Sequence, residues 1–277
     1  MENILFCIVC YKEKFYETVT FQDLVNSFTA NATNEKLNIA IYDNTNLQNW
    51  NLGDCEKEYP NIEVNYMHDV KNSGISAAYN YFANLAHNNN FEWIVFLDQD
   101  TKLPIDFYKI YFAHAENTEQ NILFPKIYGE NSLISPSHYY FYRTSVINNL
   151  GSKILLKNIT AINSGLMIKT DFYLENGGYN NNLRLDFCDH EFIERLNFKN
   201  IYADIIDIKL FQNFSSETND SKKALERYKL YVKDLSVYSK NKNKLMFFLR
   251  VDLPHLLKEI YKNRSLQFLT IRLKQML

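Results

Sequence analysis

Two carboxylates on alternate residues, Asp98-Gln99-Asp100, emerge where the apolar run Trp93-Ile94-Val95-Phe96-Leu97 ends. Oxygen donors in that setting suit a hard cation such as Mg2+ or Mn2+ shared with substrate phosphates; an acidic strand-to-loop turn is the plain alternative. A second acidic group, Asp186-Phe187-Cys188-Asp189-His190-Glu191, opens a helix-length segment. Glu191 and Arg195 are i,i+4 partners there, so an ion pair accounts for Glu191. Asp189 has no evident charge partner, and clustered acids can raise a carboxylate toward base-competent values, which makes it the best general-base candidate. Asn72-Ser73-Gly74 precedes a helix that starts near Ile75. Its unpaired N–H groups and positive dipole end suit a phosphate or a nucleobase carbonyl, or the segment is an ordinary N-cap. Asp43-Asn44, closing a short apolar run, can read a base or ribose edge, or simply form a turn.

These residues need elements to position them, and short apolar runs alternate with amphipathic segments through the first half of the chain. Ile4 to Cys10, Leu37 to Tyr42, Ile62 to Met67 and Trp93 to Leu97 read as strands; Glu17 to Phe28 and Ser76 to His87 read as helices. Such alternation implies βαβ units and a mostly parallel sheet, in which ligands bind beyond the carboxyl ends of the strands. Tyr11, Asp43-Asn44 and Asp98-Gln99-Asp100 all lie at such ends. From about Asn121 to Lys169 the pattern loosens into short strands and aromatic turns, including Tyr139-Tyr140-Phe141-Tyr142. Asp171 to Glu175 and Asp189 to Phe198 then read as helices, and Ile201 to Leu210 as a final strand. Beyond Asn219 the chain is helical, with Leu225, Tyr228, Val232 and Leu235 on one face.

Composition narrows the class. At 277 residues, 46% apolar, with seven Gly and five Pro, the chain is neither low-complexity nor disordered. A net charge of −2 excludes a uniformly basic nucleic-acid binder. That total hides an asymmetry: from Lys222 onward there are fourteen Lys and Arg against four acids, so a segment of about −12 precedes one of about +10. The basic segment reads as a solvated helical face packed on the acidic part, as a contact with an anionic membrane surface, or as an oligomerisation element. Cys7, Cys10, Cys55 and Cys188 show no metal-ligand spacing, which fits a reducing cytosol. The N-terminus lacks signal-peptide features, and the apolar stretch Leu245 to Leu257 is broken by Arg250, Asp252 and Pro254 and is too short to span a bilayer. The expected location is therefore cytoplasmic, with peripheral contact at the inner face of the cell membrane.

Taken in order, Ile8-Val9-Cys10-Tyr11, Tyr42-Asp43-Asn44, Asn72-Ser73-Gly74 through Asn80, Phe96-Leu97-Asp98-Gln99-Asp100-Thr101, Asn163-Ser164-Gly165 and Asp186 through Glu191 resemble the family-2 inverting glycosyltransferases of the GT-A fold. The resemblance covers about residues 3 to 215. The Leu-Asp-Gln-Asp-Thr form and the Asp-x-x-Asp-x-Glu-x-x-x-Arg segment look most like bacterial rhamnosyltransferases, which use dTDP-L-rhamnose to build surface polysaccharides. It implies an α/β GT-A fold: a Rossmann-like, mostly parallel central sheet with flanking helices. Residues 1–218 would be the catalytic domain, with a nucleotide-sugar-binding half at 1–101 and an acceptor-binding half at 102–218, followed by a basic helical extension at 219–277. Tyr11, Asp43, Asn44, Asn72, Gly74, Asp98, Gln99 and Asp100 would bind a dTDP- or UDP-sugar. Asp98 and Asp100 would hold the Mg2+ or Mn2+. Ser164, Gly165 and Glu191 would shape the acceptor side, and Asp189 would deprotonate a hydroxyl of a glycan or lipid-linked acceptor.

One departure concerns the metal. Many relatives place a metal-binding His after the last strand, where this chain has Leu210-Phe211-Gln212-Asn213-Phe214-Ser215, and Gln212 or Asn213 offers only a neutral oxygen. His190 is not a convincing replacement by position. Three alternatives share part of the pattern: a UDP-hexose donor in the same fold, a phosphotransferase of the haloacid-dehalogenase type built on Asp98-x-Asp100-x, and a non-catalytic nucleotide-sugar-binding scaffold.

Overall fold

A computed structural model describes residues 3–31, 36–47, 59, 61–129, 132–212 and 221–276. The first half runs β1 (Ile4–Cys10), α1 (Val19–Asn31), β2 (Leu37–Asp43), β3 (Ile62–His68), α2 (Ile75–Asn88) and β4 (Trp93–Asp98). Strand β1 pairs parallel with both β2 and β4, and β2 with β3. All seven residues of β1 are buried, as expected for a parallel strand covered on both faces. Its side chains alternate between two cores. Leu5, Cys7 and Val9 face the layer that holds α2, while Ile4, Phe6, Ile8 and Cys10 face the layer that holds α1.

The second half adds β5 (Thr101–Lys102), α3 (Phe107–Asn117), β6 (Ile122–Tyr128), β7 (Leu133–Ser135), β8 (Ser137–Tyr140), β9 (Arg143–Val146), β10 (Lys153–Leu155), β11 (Ile159–Thr160), β12 (Met167–Lys169), α4 (Thr170–Glu175), α5 (Cys188–Leu196) and β13 (Tyr202–Gln212). The main sheet has the order β10-β13-β6-β12-β4-β1-β2-β3, and β11-β8-β9 form a small separate sheet. Strand β12 is antiparallel to both neighbours, β4 and β6, at the centre of the sheet. The result is an α/β fold with a mostly parallel sheet between helical layers.

The C-terminal region comprises α6 (Ser221–Tyr238), α7 (Lys244–Phe247) continued by a π-helical turn (Phe248–Asp252), α8 (Leu253–Asn263) and α9 (Gln267–Met276). Tyr228, Val232 and Leu235 are buried, with Leu225 packed beside them, so the apolar stripe of α6 faces the protein. These residues join the same core as α2 and α5. Two of the four acids in this basic segment are buried: Asp234 is 2% exposed, and so is Asp252, which is paired with Arg272 at 2.7 Å. Leu245, Leu249, Leu257, Tyr261, Leu266 and Leu273 stay exposed. Among the described residues, no helix is long and apolar enough to cross a membrane.

Candidate active site

Asp98 ends β4 and turns into the protein. Its Oδ1 accepts from the Tyr79 hydroxyl at 3.2 Å, and its Oδ2 from Ser164 Oγ at 2.5 Å and Gln212 Nε2 at 3.0 Å. Ser164 Oγ also lies 2.9 Å from Gln212 Oε1, so Asp98, Ser164 and Gln212 form a closed ring. One hydroxyl proton cannot serve both neighbours of Ser164; the ring has a donor for every acceptor when Asp98 itself carries a proton. Burial pushes the Asp98 carboxyl above its usual range; the hydrogen bonds from Ser164, Tyr79 and Gln212 oppose that, and the charge of Asp189 adds to it. Asp100 reaches the surface, but partial desolvation of its carboxyl, with the nearby Asp98 charge, likewise holds that carboxyl up. Gln99 reaches back to the end of β1: its Oε1 accepts from Tyr11 N at 2.6 Å and its Nε2 donates to Tyr11 O at 3.3 Å. Tyr11 itself is exposed, with the Lys12 ammonium 4.7 Å from the centre of its ring.

At the end of β2, Asp43 is fully buried, with Oδ1 accepting from Thr45 N and Oδ2 from Tyr66 OH, both at 2.8 Å. It shapes the strand-end turn. Asn44 Oδ1 accepts from Gly74 N at 3.3 Å, which joins the ends of β2 and α2. Gly74 has φ +98°, and a Cβ there would lie 2.2 Å from the Arg184 carbonyl oxygen, so this close approach admits only glycine. Asn72, at φ +51°, gives its carbonyl to the Arg184 guanidinium.

Asp69 was missed by the motif reading. It follows β3 as Asp43 follows β2, and accepts from Ser73 N at 2.6 Å, Lys71 N at 3.0 Å and Tyr42 OH at 3.0 Å. Burial pushes its carboxyl up, but the Ser73 and Lys71 donors and Tyr42 prevail and hold it below the usual range. The strand-end rule applied to the third strand would have found it.

Asp189 lies in the first turn of α5, accepts from His190 N at 2.7 Å, and has no ion pair among the described residues. What holds it there is the segment just before. Asp234 of α6 accepts three consecutive backbone N–H groups, from Arg184 at 3.0 Å and from Leu185 and Asp186 at 2.8 Å each. Asp186 is gripped through both oxygens by Arg227 at 2.6 Å. Phe187 then takes a left-handed conformation at φ +66°, costly for a bulky residue, with its ring stacked 4.8 Å from that of Tyr238. The basic C-terminal segment thus buttresses the loop that presents Asp189, a role no sequence signal announced.

Ser164, Gly165 and Glu191, the residues expected on the acceptor side, are each engaged within the protein. Ser164 is fully buried and reaches the site through Asp98. Gly165, at φ +78°, gives its carbonyl to Tyr111 OH at 2.7 Å, in space a Cβ would overfill. Glu191 forms a two-pronged pair with Arg195 at 2.9 and 3.1 Å, as its i,i+4 spacing allows. Asn213 lies outside the described residues, as does Cys55. Cys7, Cys10 and Cys188 are free and buried.

The donor set bears on a divalent cation. No group of three or more His, Cys, Asp or Glu among the described residues could hold one. Asp98 spends both oxygens on protein donors, whereas Asp100 faces outward. One outward carboxylate fits a Mg2+-type ion that takes its remaining ligands from water and a diphosphate, not one caged by protein.

The family model for Glycosyl transferase family 2 matches residues 6–168, more than half the chain. The chain belongs to glycosyl transferase family 2. Its fold is that of GT-A structures within this group. It is similar to TarS of S. aureus at 14% identity and TM-score 0.58, over 98% of this chain and 49% of TarS. It is similar to GalNAc-T7, solved with UDP, GalNAc and Mn2+, at 12% identity and TM-score 0.56, over 91% and 57% of the two chains. For the mannosyltransferase PcManGT of Pyrobaculum calidifontis, solved with GDP-Man and Mn2+, the values are 10%, 0.56, 95% and 72%. The chain thus spans about half the length of TarS. Among curated protein sequences none matches. Family 2 membership supports glycosyl transfer, and it removes the ground for a haloacid-dehalogenase-type nucleophile at Asp98, whose oxygens are already engaged.

Proposed function

We propose that the protein is an inverting glycosyltransferase that moves L-rhamnose from dTDP-L-rhamnose onto a glycan or lipid-linked acceptor in bacterial surface polysaccharide synthesis. The observation that carries the transfer reading is Asp189, a carboxylate in the first turn of α5 with no ion pair among the described residues, whose charge opposes ionisation of Asp98. A base on one side of the anomeric carbon and a leaving diphosphate on the other is what inversion requires. Asp189 takes the proton of the acceptor hydroxyl as its oxygen attacks. The nucleotide lies along the ends of β1, β2 and β4, beside the exposed Tyr11; the N–H groups of Ser73, Gly74 and Ile75 at the start of α2 are already spent on Asp69, Asn44 and Arg184. A divalent cation held at Asp100, when bound, would supply charge neutralisation on the departing diphosphate. Rhamnose rests on the Leu97-Asp98-Gln99-Asp100-Thr101 and Asp186-to-Arg195 patterns. The exposed leucines of α7 to α9, among Lys and Arg, support contact with an anionic membrane surface that would carry a lipid-linked acceptor. Diphosphate-nucleotide release across dTDP-, UDP- and GDP-sugars tests the reading. dTDP-L-rhamnose turning over fastest sustains it, a UDP-hexose doing so replaces the sugar, and no turnover with Asp189-independent binding leaves a scaffold.

A further inference from the structure

A cavity of about 300 Å3 opens beside the first turn of α5. Tyr139, Tyr142, Arg143, Phe187, His190 and Tyr238 line it, so residues on both sides of Asp189 in sequence form one wall. The cavity joins the small sheet, α5 and the C-terminal region, which are otherwise separate parts of the chain.

Phe141 and Tyr142, at φ +47° and +66°, form the two-residue turn that joins β8 to β9 and brings Tyr142 and Arg143 to the cavity. Packing holds this wall in place. The Tyr142 ring packs edge-on to Phe247 at 5.2 Å, and its hydroxyl accepts from Asn243 N at 3.2 Å. The Tyr139 and Tyr238 hydroxyls lie 2.8 Å apart, and Tyr238 donates to Glu194 at 2.8 Å. His190 stacks on Tyr139 and uses Nδ1 on Thr160 at 2.5 Å, which leaves Nε2 for a hydroxyl.

The lining also states what would enter. Aromatic side chains dominate, and no carboxylate lines the cavity. Arg143 is exposed; among the described residues its hydrogen bond is one from Nε to the Arg250 carbonyl at 3.4 Å, with no acidic partner. Lys242 lies over the Tyr142 and Tyr238 rings, and Arg250 over Phe141. Flat apolar faces suit the C–H face of a pyranose, and a guanidinium free to form a fork suits a carboxylate or phosphate.

We propose that this cavity is the acceptor subsite and takes a pyranose bearing an anionic substituent, its ring against the tyrosines and its anion on Arg143. This rests on the glycosyl-transfer reading, and the test separates the two. Saturation-transfer NMR on the full chain, with nucleotide present, compares methyl glucoside, methyl glucuronide, glucose 6-phosphate and inorganic phosphate. The expected result is anionic sugars binding about fivefold more tightly than the neutral glucoside, with Arg143→Gln removing that preference and leaving nucleotide binding as in the parent. Preference for the glucuronide or for the sugar phosphate tells a uronic acid from a phosphorylated sugar. Equal binding of neutral and anionic sugars, a preference that survives Arg143→Gln, or inorganic phosphate binding as tightly as the sugar phosphate overturns the proposal. A parent that binds nucleotide but none of the sugars also overturns it, whereas failure to bind any nucleotide refutes the transferase reading instead.

Discussion

Replacing Asp234 by Asn should damage the site from a helix that is far from it in sequence. The Asp234 carboxylate serves three N–H groups of residues 184 to 186, one on Oδ1 and two on Oδ2. An Asn can keep its oxygen on Leu185 and Asp186, but its NH2 then faces the Arg184 N–H. One charge-assisted bond is lost and one buried donor is orphaned, a loss of about 2 kcal/mol. For a chain of this size that lowers the melting temperature by about 4 to 8 °C. Asp234→Ala, which orphans all three donors, should cost roughly twice as much. The loop also carries Phe187 in its left-handed conformation two residues before Asp189, so relaxing it moves Asp189. Scanning fluorimetry gives the stability, and nucleotide-diphosphate release from the sugar donor gives turnover in the same preparations. An Asp234→Ala protein that melts within about 1 °C of the parent, or one that is destabilised yet turns over at the parental rate, would refute the reasoning.

Four further outcomes follow from other contacts. Asp189→Asn should lower turnover by about 100- to 10,000-fold while nucleotide binding is retained, measured by release kinetics and thermal shift; an unchanged rate removes Asp189 as the base. Gly74→Ala should destabilise the protein and weaken nucleotide binding, because the new methyl meets the Arg184 carbonyl at 2.2 Å; a parental melting temperature contradicts this. Asp69 has a depressed pKa, so its contribution is present above about pH 4 and lost as pH falls through the folded value. The stability gap between parent and Asp69→Asn should therefore close on acidification, and a gap constant with pH counts against the Ser73 and Lys71 contacts as its source. Sedimentation with vesicles should favour anionic over neutral lipid, more so at low salt, and Leu249→Ser with Leu257→Ser should weaken it; equal sedimentation with both lipids removes the membrane contact.

The parts of the fold legible in the sequence are those where burial writes a long pattern. Strand β1 runs from Ile4 to Cys10, as its unbroken apolar run requires; β2, β3 and β4 each extend one residue further at the C-terminal end than expected, and α2 one residue at each end. Strands β7 to β12 have two to four residues each, too few for a period to show, and their antiparallel placement depends on partners elsewhere in the chain. The site divides in the same way. Asp98, Asp100 and Asp189 stand out because carboxylates at strand and helix ends are conspicuous. The ring around Asp98 does not, because Ser164 and Gln212 lie 66 and 114 residues from it. In the sequence Gln212 reads only as a neutral-oxygen ligand, yet its amide completes the ring. Asp234 was one acid in a basic segment, and its partners are backbone groups, which carry no sequence signature.

Arg184 ties together parts that lie far apart in the chain. Its guanidinium binds the Asn72 carbonyl, its own carbonyl accepts from Ile75 N at 2.7 Å, and its amide is held by Asp234. The start of α2, the loop before Asp189 and the C-terminal helix are cross-locked through one residue. Every partner except Asp234 is a backbone group, so the lock asks little of the residue types around α2 and much of position 234, and exchange of the first hundred residues leaves it intact wherever the backbone path is kept.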